Sequence, residues 1–158
     1  MPPTPIDLAG PITKWSVRLK EGHIFESGPT GRTHLIDADS KVAPGPVETL
    51  LGAILTCSAT DVIDILAKRR TPVRRFEASI TAHRRAAHPR RVMQMELEYH
   101  IDGDGIDADH AERAIELAFE KYCTVVASLG PDIVARSLLV LNGQSGEPQP
   151  RKMWSPQR

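Results

Sequence analysis

Pro44-Gly45-Pro46-Val47-Glu48-Thr49-Leu50-Leu51-Gly52-Ala53-Ile54-Leu55-Thr56-Cys57, running on to Lys68-Arg69-Arg70, is the stretch on which the fold turns. Pro46 suits the first turn of a helix, where its missing N–H leaves no bond unmade. Pro72 forbids continuation. The basic run at 68–70 suits the negative end of the helix dipole. Between these signals lie roughly 24 residues, about 36 Å of helix at 1.5 Å per residue. A helix of that length in a chain of 158 residues predicts a fold built around it. Near its middle, among apolar and small residues, sits Cys57, one of two cysteines.

The totals frame that helix. A chain this long supports a real core and is one domain by prior. It is 41% hydrophobic and 25% charged, ordinary for a globular protein. Twenty Lys+Arg balance twenty Asp+Glu, which speaks against a dedicated nucleic-acid binder. No uninterrupted apolar run approaches the ~18 residues of a membrane span. Met1-Pro2-Pro3-Thr4-Pro5 has neither a basic nor an apolar signal region, so the expectation is a cytoplasmic protein. In a reducing compartment the two cysteines are free or redox-active rather than a structural disulfide. They stand 66 positions apart, so they form no CxxC pair.

Outward from the helix, the pattern is strand-like. Trp15, Val17 and Leu19 alternate with polar residues as a half-buried strand. Glu21-Gly22 reads as a hairpin turn, His23 to Ser27 as the returning strand, and Thr33 to Asp37 as a third. Beyond Pro72, Phe76, Ala78, Ile80 and Ala82 face one way, and Met93, Met95, Leu97, Tyr99 and Ile101 do the same after a turn. These predict an antiparallel pair with one wet face. Asp107 or Asp109 caps a second helix over Ala111 to Leu129, ended by Gly130-Pro131, and Ile133 to Leu141 is a last strand. The order β-β-β-α-β-β-α-β is an α+β layout on largely antiparallel sheet. Residues 1–13 read as a flexible arm, 14–141 as one domain, and the polar 142–158 as a fraying tail.

Several motifs dissolve on inspection. Asp102-Gly-Asp104-Gly lacks the position-12 carboxylate of a calcium loop, where Arg113 stands, and Gly28-Pro-Thr-Gly31 is no P-loop. Arg84-Arg85 and Arg90-Arg91 flank one turn and read as a solvated loop. The six histidines are scattered, and no metal site is expected. The cysteines keep two readings: small buried hydrophobes, or a redox pair, since both predicted helices must pack on one core.

Gly45-Pro46-x-Glu48-x-Leu50-Leu51 with Cys57-x-x-x-Asp61-Val62-x-x-Ile65-Leu66 resembles the central-helix motif of the OsmC/Ohr family of hydroperoxide-detoxifying proteins. His88-Pro89-Arg90, Gly105-Ile106-Asp107 and Glu120-Lys121-Tyr122-Cys123-x-Val125-x-Ala127 extend the resemblance, the last pointing to the OsmC-like branch rather than Ohr proper. It covers roughly residues 14–141. It implies an OsmC-like α+β fold assembled as an intertwined homodimer. The long helix, with more apolar surface than a small chain covers by itself, accords with that.

The resemblance also implies a chemistry. Cys57 would attack an organic hydroperoxide and become a sulfenic acid, and Cys123 would resolve it as a disulfide for an external thiol to reduce. No bound cofactor, metal, nucleic acid or membrane is implied. A free thiol needs activation, and family members use an arginine and a glutamate. Arg32 and Glu48 are the matching candidates. The family's glutamate stands ten residues before the cysteine, where this chain has Val47. Glu48 stands nine before, and nine steps of about 100° put it on the far side of an unbroken helix. A distorted first turn, a helix-capping role, or service to a partner subunit would each account for it. The alternative function is a non-catalytic dimeric binder of an apolar small molecule on the same fold. An adaptor acting through the Arg-rich hairpin is a third reading, disfavoured by zero net charge.

Overall fold

The structure, a computed structural model, describes residues 8–155, so the outermost parts of both expected terminal segments lie outside it. Its contacts gather into two compact units, 1–49 and 50–158. In the first, residues 8–15 precede an antiparallel meander of β1 (Ser16–Glu21), β2 (Ile24–Gly28) and β3 (His34–Asp37). The first turn falls one residue later than expected: Glu21 pairs with Ile24, and Gly22 takes a φ of 50°, where a side chain would be strained. The alternation in β1 is present but not half-buried. All six of its residues are exposed, Val17 at 63% and Leu19 at 59%, so its apolar row is uncovered among the described residues.

Asp37 organises the loop after β3. Its carboxylate accepts the backbone N–H groups of Asp39 (2.9 Å), Lys41 (2.9 Å) and Val42 (3.0 Å). Those three donors hold its carboxyl below the ordinary aspartate range. A depressed folded-state pKa contributes stability above the unfolded value and loses it as pH falls through the folded one. Asp37→Asn is therefore expected to lower the melting temperature at pH 7. The gap to wild type should shrink as pH falls below the normal aspartate range; an equal gap at both pH values would refute this account.

α1 (Pro46–Lys68) matches its sequence signals closely. It ends in a Schellman arrangement: Arg70 sits at φ 62°, its N–H donates to Ala67 O (2.9 Å), and Thr71 N–H donates to Leu66 O (3.2 Å). By length and composition alone α1 would pass for a membrane-crossing helix: it has 23 residues and an 18-residue stretch of mean hydropathy 1.7. Glu48, Thr49, Gly52, Thr56, Ser58, Thr60, Asp61 and Asp64 interrupt its apolar residues, so the expectation of no uninterrupted apolar run of ~18 residues stands. In the fold, Ile54, Ser58, Val62 and Leu66 are buried along one stripe at four-residue spacing.

The rest of the second unit is a mixed sheet. β4 (Arg75–Arg84) pairs antiparallel with β5 (Val92–Asp102), as expected. A bulge at the hairpin end sets Val92 inward and leaves Met93 38% exposed, against the simple alternation. β6 (Val134–Leu141) runs parallel to β5, because the helical crossover between them returns the chain to the same end. Its sequence alternation was legible; its direction was not.

The tail is a further correction. Beyond Leu141 the chain does not fray at once: β7 (Gln144–Ser145) and β8 (Gln149–Arg151) add antiparallel to β6. Asn142 also clamps the turn after β5, its Oδ1 accepting from Gly103 N–H (3.0 Å) and its Nδ2 donating to Gly103 O (3.1 Å). Arg151 is buried, donating from Nε to Ser137 Oγ (2.7 Å) and pairing with Glu112, and Met153 is buried too. A polar composition suggested fraying, yet an open edge of β6 offers backbone partners to any extended segment.

Candidate functional site

Cys57 and Asp61 are one turn apart on α1 and project from the same side. α1 is fixed at this level by Ser58, whose hydroxyl lies 2.8 Å from Tyr99 Oη of β5 in the buried interior. Burial drives the Tyr99 phenol up to about 12, so it stays a neutral hydrogen-bonding group.

The opposite wall comes from the second helical segment, which is not the single helix expected over 111–129. α2 (Ala108–Leu117) starts where Asp107 Oδ1 accepts the N–H groups of Asp109 (2.9 Å) and His110 (3.3 Å). The chain then widens into a π-helical turn, Ala118–Tyr122, closed by Cys123 N–H on Ala118 O at 2.8 Å. Cys123 itself is extended (ψ 104°), and α3 (Thr124–Ala127) begins after it. Such π turns often occur at functional positions. The break also moves Tyr122 outward, to 47% exposure, while Phe119, Cys123 and Val126 turn in.

The break places Cys123 at the head of α3, where its Sγ accepts Val126 N–H at 3.4 Å. It also brings three reactive groups together. The sulfurs of Cys57 and Cys123 and a carboxylate oxygen of Asp61 all lie within 4.8 Å of one another. Both thiols are free. Cys57 is half-buried, whereas Cys123 is 1% exposed. Burial, with the neighbouring Cys57 adding to it, pushes the Cys123 thiol up to about 12 against the pull of Val126 N–H. Cys123 therefore holds its proton at neutral pH. Burial first, then the charge of Asp64, raises the Asp61 carboxyl above the usual range. Its Oδ2 is buried with no hydrogen-bond partner among the described residues. Beside it opens a cleft of about 310 Å³ lined by Asp61, Asp64, Ile65, Lys68, Leu117 and Tyr122.

The other two expected site residues belong to the N-terminal unit. Glu48 reaches back over its own helix start: Gly45 N–H donates to its Oε2 at 2.6 Å, and Ser40 is a second partner. This is the reciprocal half of a capping box, and those bonds hold its carboxyl below the usual range. Of the three accounts of its position, the capping one describes its contacts. Arg32 is exposed, just past a turn closed by its N–H on Pro29 O (3.0 Å). Asp61 was absent from the expected site. Its sequence signal is the four-residue spacing from Cys57, which puts the two side chains one turn apart on one helix face.

The sequence model of the OsmC-like protein family matches residues 38–136. Protein YhfA of Escherichia coli (strain K12) is 37% identical over 116 residues, covering 72% of this chain and 86% of that protein. An OsmC-like protein of Mycoplasma pneumoniae superposes with a TM-score of 0.71 at 12% identity, over 81% of this chain and 95% of that one. The organic hydroperoxide resistance protein OsmC of Legionella pneumophila does so with a TM-score of 0.57 at 11% identity, over 84% and 98%. The two structural likenesses establish the α+β fold alone, and with the sequence matches they allow a plain statement: the chain belongs to the OsmC-like protein family.

Proposed function

We propose that the protein is a thiol-dependent peroxidase that reduces organic hydroperoxides through Cys57 and Cys123. The observation that carries this reading is an accessible thiol beside a buried, protonated one within 4.8 Å. Membership of a family with structural relatives named for organic hydroperoxide resistance supports it.

The division of labour follows from exposure and proton occupancy. Only Cys57 is open to a peroxide arriving from solvent. Its thiolate sulfur attacks the terminal oxygen of ROOH and the O–O bond breaks. The alkoxide takes up a proton and leaves as the alcohol, and Cys57 becomes a sulfenic acid. Cys123 sulfur then attacks Cys57 sulfur. The S–O bond breaks, the Cys123 proton joins the departing hydroxide as water, and a disulfide forms. Two equivalents of external thiol restore both cysteines and become a disulfide in turn. The cycle uses no bound cofactor.

Arg32 is the arginine assigned to thiolate activation by the family resemblance. Glu48 shares that assignment, with its capping bonds as a second duty. The working assembly is a homodimer in the cytoplasm. Supporting this are the uncovered apolar side chains of Val17, Leu19 and Leu35 in the first unit, and of Leu50 and Ile63 on α1.

The test is a thiol titration under denaturing conditions, before and after cumene hydroperoxide. Both thiols should vanish with one equivalent of peroxide, and one equivalent of cumyl alcohol should appear. Persistence of both thiols through minutes of excess peroxide would sink the peroxidase reading and favour the non-catalytic binder.

A further inference from the structure

Asp61 has no step in the peroxide cycle, yet it faces both sulfurs. We infer that reduced Cys57, Cys123 and Asp61 form a binding site for a thiophilic d10 cation of the Zn²⁺ class. Two thiolates and one carboxylate would hold it, with one position left to water.

The donor set is the first argument. Cys sulfur and carboxylate oxygen are both established zinc donors, and two sulfurs with one hard oxygen disfavour Mg²⁺ and Ca²⁺. Spacing is the second. A tetrahedral ion with Zn–S bonds of about 2.3 Å and Zn–O bonds of about 2.0 Å places its donors roughly 3.5–3.8 Å apart. The three atoms already lie within 4.8 Å of one another, so modest side-chain rotation closes the set. They come from rigid elements: Cys57 and Asp61 from successive turns of α1, Cys123 from the head of α3.

The third argument is independent of the cysteines. Asp61 Oδ2 is buried without a hydrogen-bond partner among the described residues. A buried carboxylate oxygen left unpartnered is costly, and a coordinated cation satisfies it. Asp61 also lines a cleft of about 310 Å³, so one of the three donors borders open space. Binding must displace the buried Cys123 proton, and a coordinating divalent ion does this outright.

The consequence is a choice between two uses of the same sulfurs. An ion held by both excludes the disulfide, and a disulfide excludes the ion. The cation would thus shelter the reduced pair from oxidation. None of this rests on the peroxidase reading, because it needs only reduced sulfurs.

The experiment adds Zn²⁺ to phosphine-reduced, oxygen-free protein and measures affinity by competition with a chromophoric chelator. Co²⁺ serves as the optical probe. The expected result is one ion per chain, a sulfur-to-Co²⁺ charge-transfer band, and protection of both thiols from a thiol reagent. Asp61→Asn should keep its circular dichroism, since it removes a like charge beside Asp64, and should bind Zn²⁺ about tenfold or more weakly. Cys57→Ser should lose the band's thiolate pair. Equal affinity in wild type and both variants would put the ion on surface histidines and overturn the inference. So would absence of the charge-transfer band in wild type. Peroxide is absent throughout, so failure here leaves the thiol titration above unaffected, and failure there leaves this result standing.

Discussion

Cys57→Ser is expected to abolish peroxide-dependent thiol loss, leaving Cys123 a free thiol in excess cumene hydroperoxide. The expectation follows from the asymmetry of the pair. Cys123 is 1% exposed and its thiol is pushed up to about 12, so it is both out of reach and protonated. Attack on a peroxide needs an accessible thiolate, and Cys123 is neither accessible nor deprotonated. In the intact cycle it meets only the adjacent Cys57 sulfenic acid, whose departing hydroxide takes its proton. No attacker on peroxide therefore remains when Cys57 is gone. Cys123→Ser is expected to differ in kind. Cys57 should still react once, and its sulfenic acid should persist long enough for a carbon nucleophile to trap it. Without a resolving thiol, excess peroxide should then drive it irreversibly to the sulfinic acid. Serine also keeps the bond to Val126 N–H, being a favoured residue at a helix head, so this variant should stay folded. The reverse pattern, with rapid oxidation surviving in Cys57→Ser, would invert the roles assigned here. Mass spectrometry of trypsin-digested, dimedone-treated protein distinguishes these outcomes.

Arg151→Met is the second large effect, and it concerns stability. The Arg151 side chain is 5% exposed, bonded to Ser137 Oγ and paired with Glu112, whose side chain is 27% exposed. Methionine preserves the packed aliphatic stem but strands the Glu112 carboxylate and the Ser137 hydroxyl. Breaking a buried pair on one side typically costs about 3–5 kcal/mol. Glu112 retains some water, so a loss of about 2–3 kcal/mol is expected here. For a chain of this length that is a fall in melting temperature of roughly 4–12 °C. Truncation after Gly143 should cost more, since β8 and buried Met153 leave with Arg151. Urea denaturation at fixed protein concentration checks both. A loss below about 0.5 kcal/mol for Arg151→Met, the range of an ordinary surface substitution, would mean that the tail merely rests on the sheet.

How much of this was readable in the residues divides along a physical line. Local rules sufficed for α1, because a proline at its start, a basic end and Pro72 all act within a turn or two. They sufficed for β4 and β5, where period-two alternation over ten and eleven residues leaves little room for another reading. They also carried the family resemblance and thus both cysteines. They failed where a distant partner decides. The direction of β6 depends on the crossover that precedes it, and the order in the tail depends on a vacant edge of β6. Met93 and Val92 exchanged places through a bulge that alternation cannot register.

The candidate site shows the same division at atomic scale. The residue pattern by itself placed Cys57 on a long helix of an α+β chain, with a carboxylate one turn beyond it, and read Cys123 as helical, which the structure corrects. Whether those groups meet depended on a π turn and an extended Cys123, a local break that the apolar spacing of 111–129 conceals. Only the tertiary structure decided that Cys57, Cys123 and Asp61 converge. Periodicity reports which face of an element is apolar, but proximity across 66 positions is set by how separate elements pack.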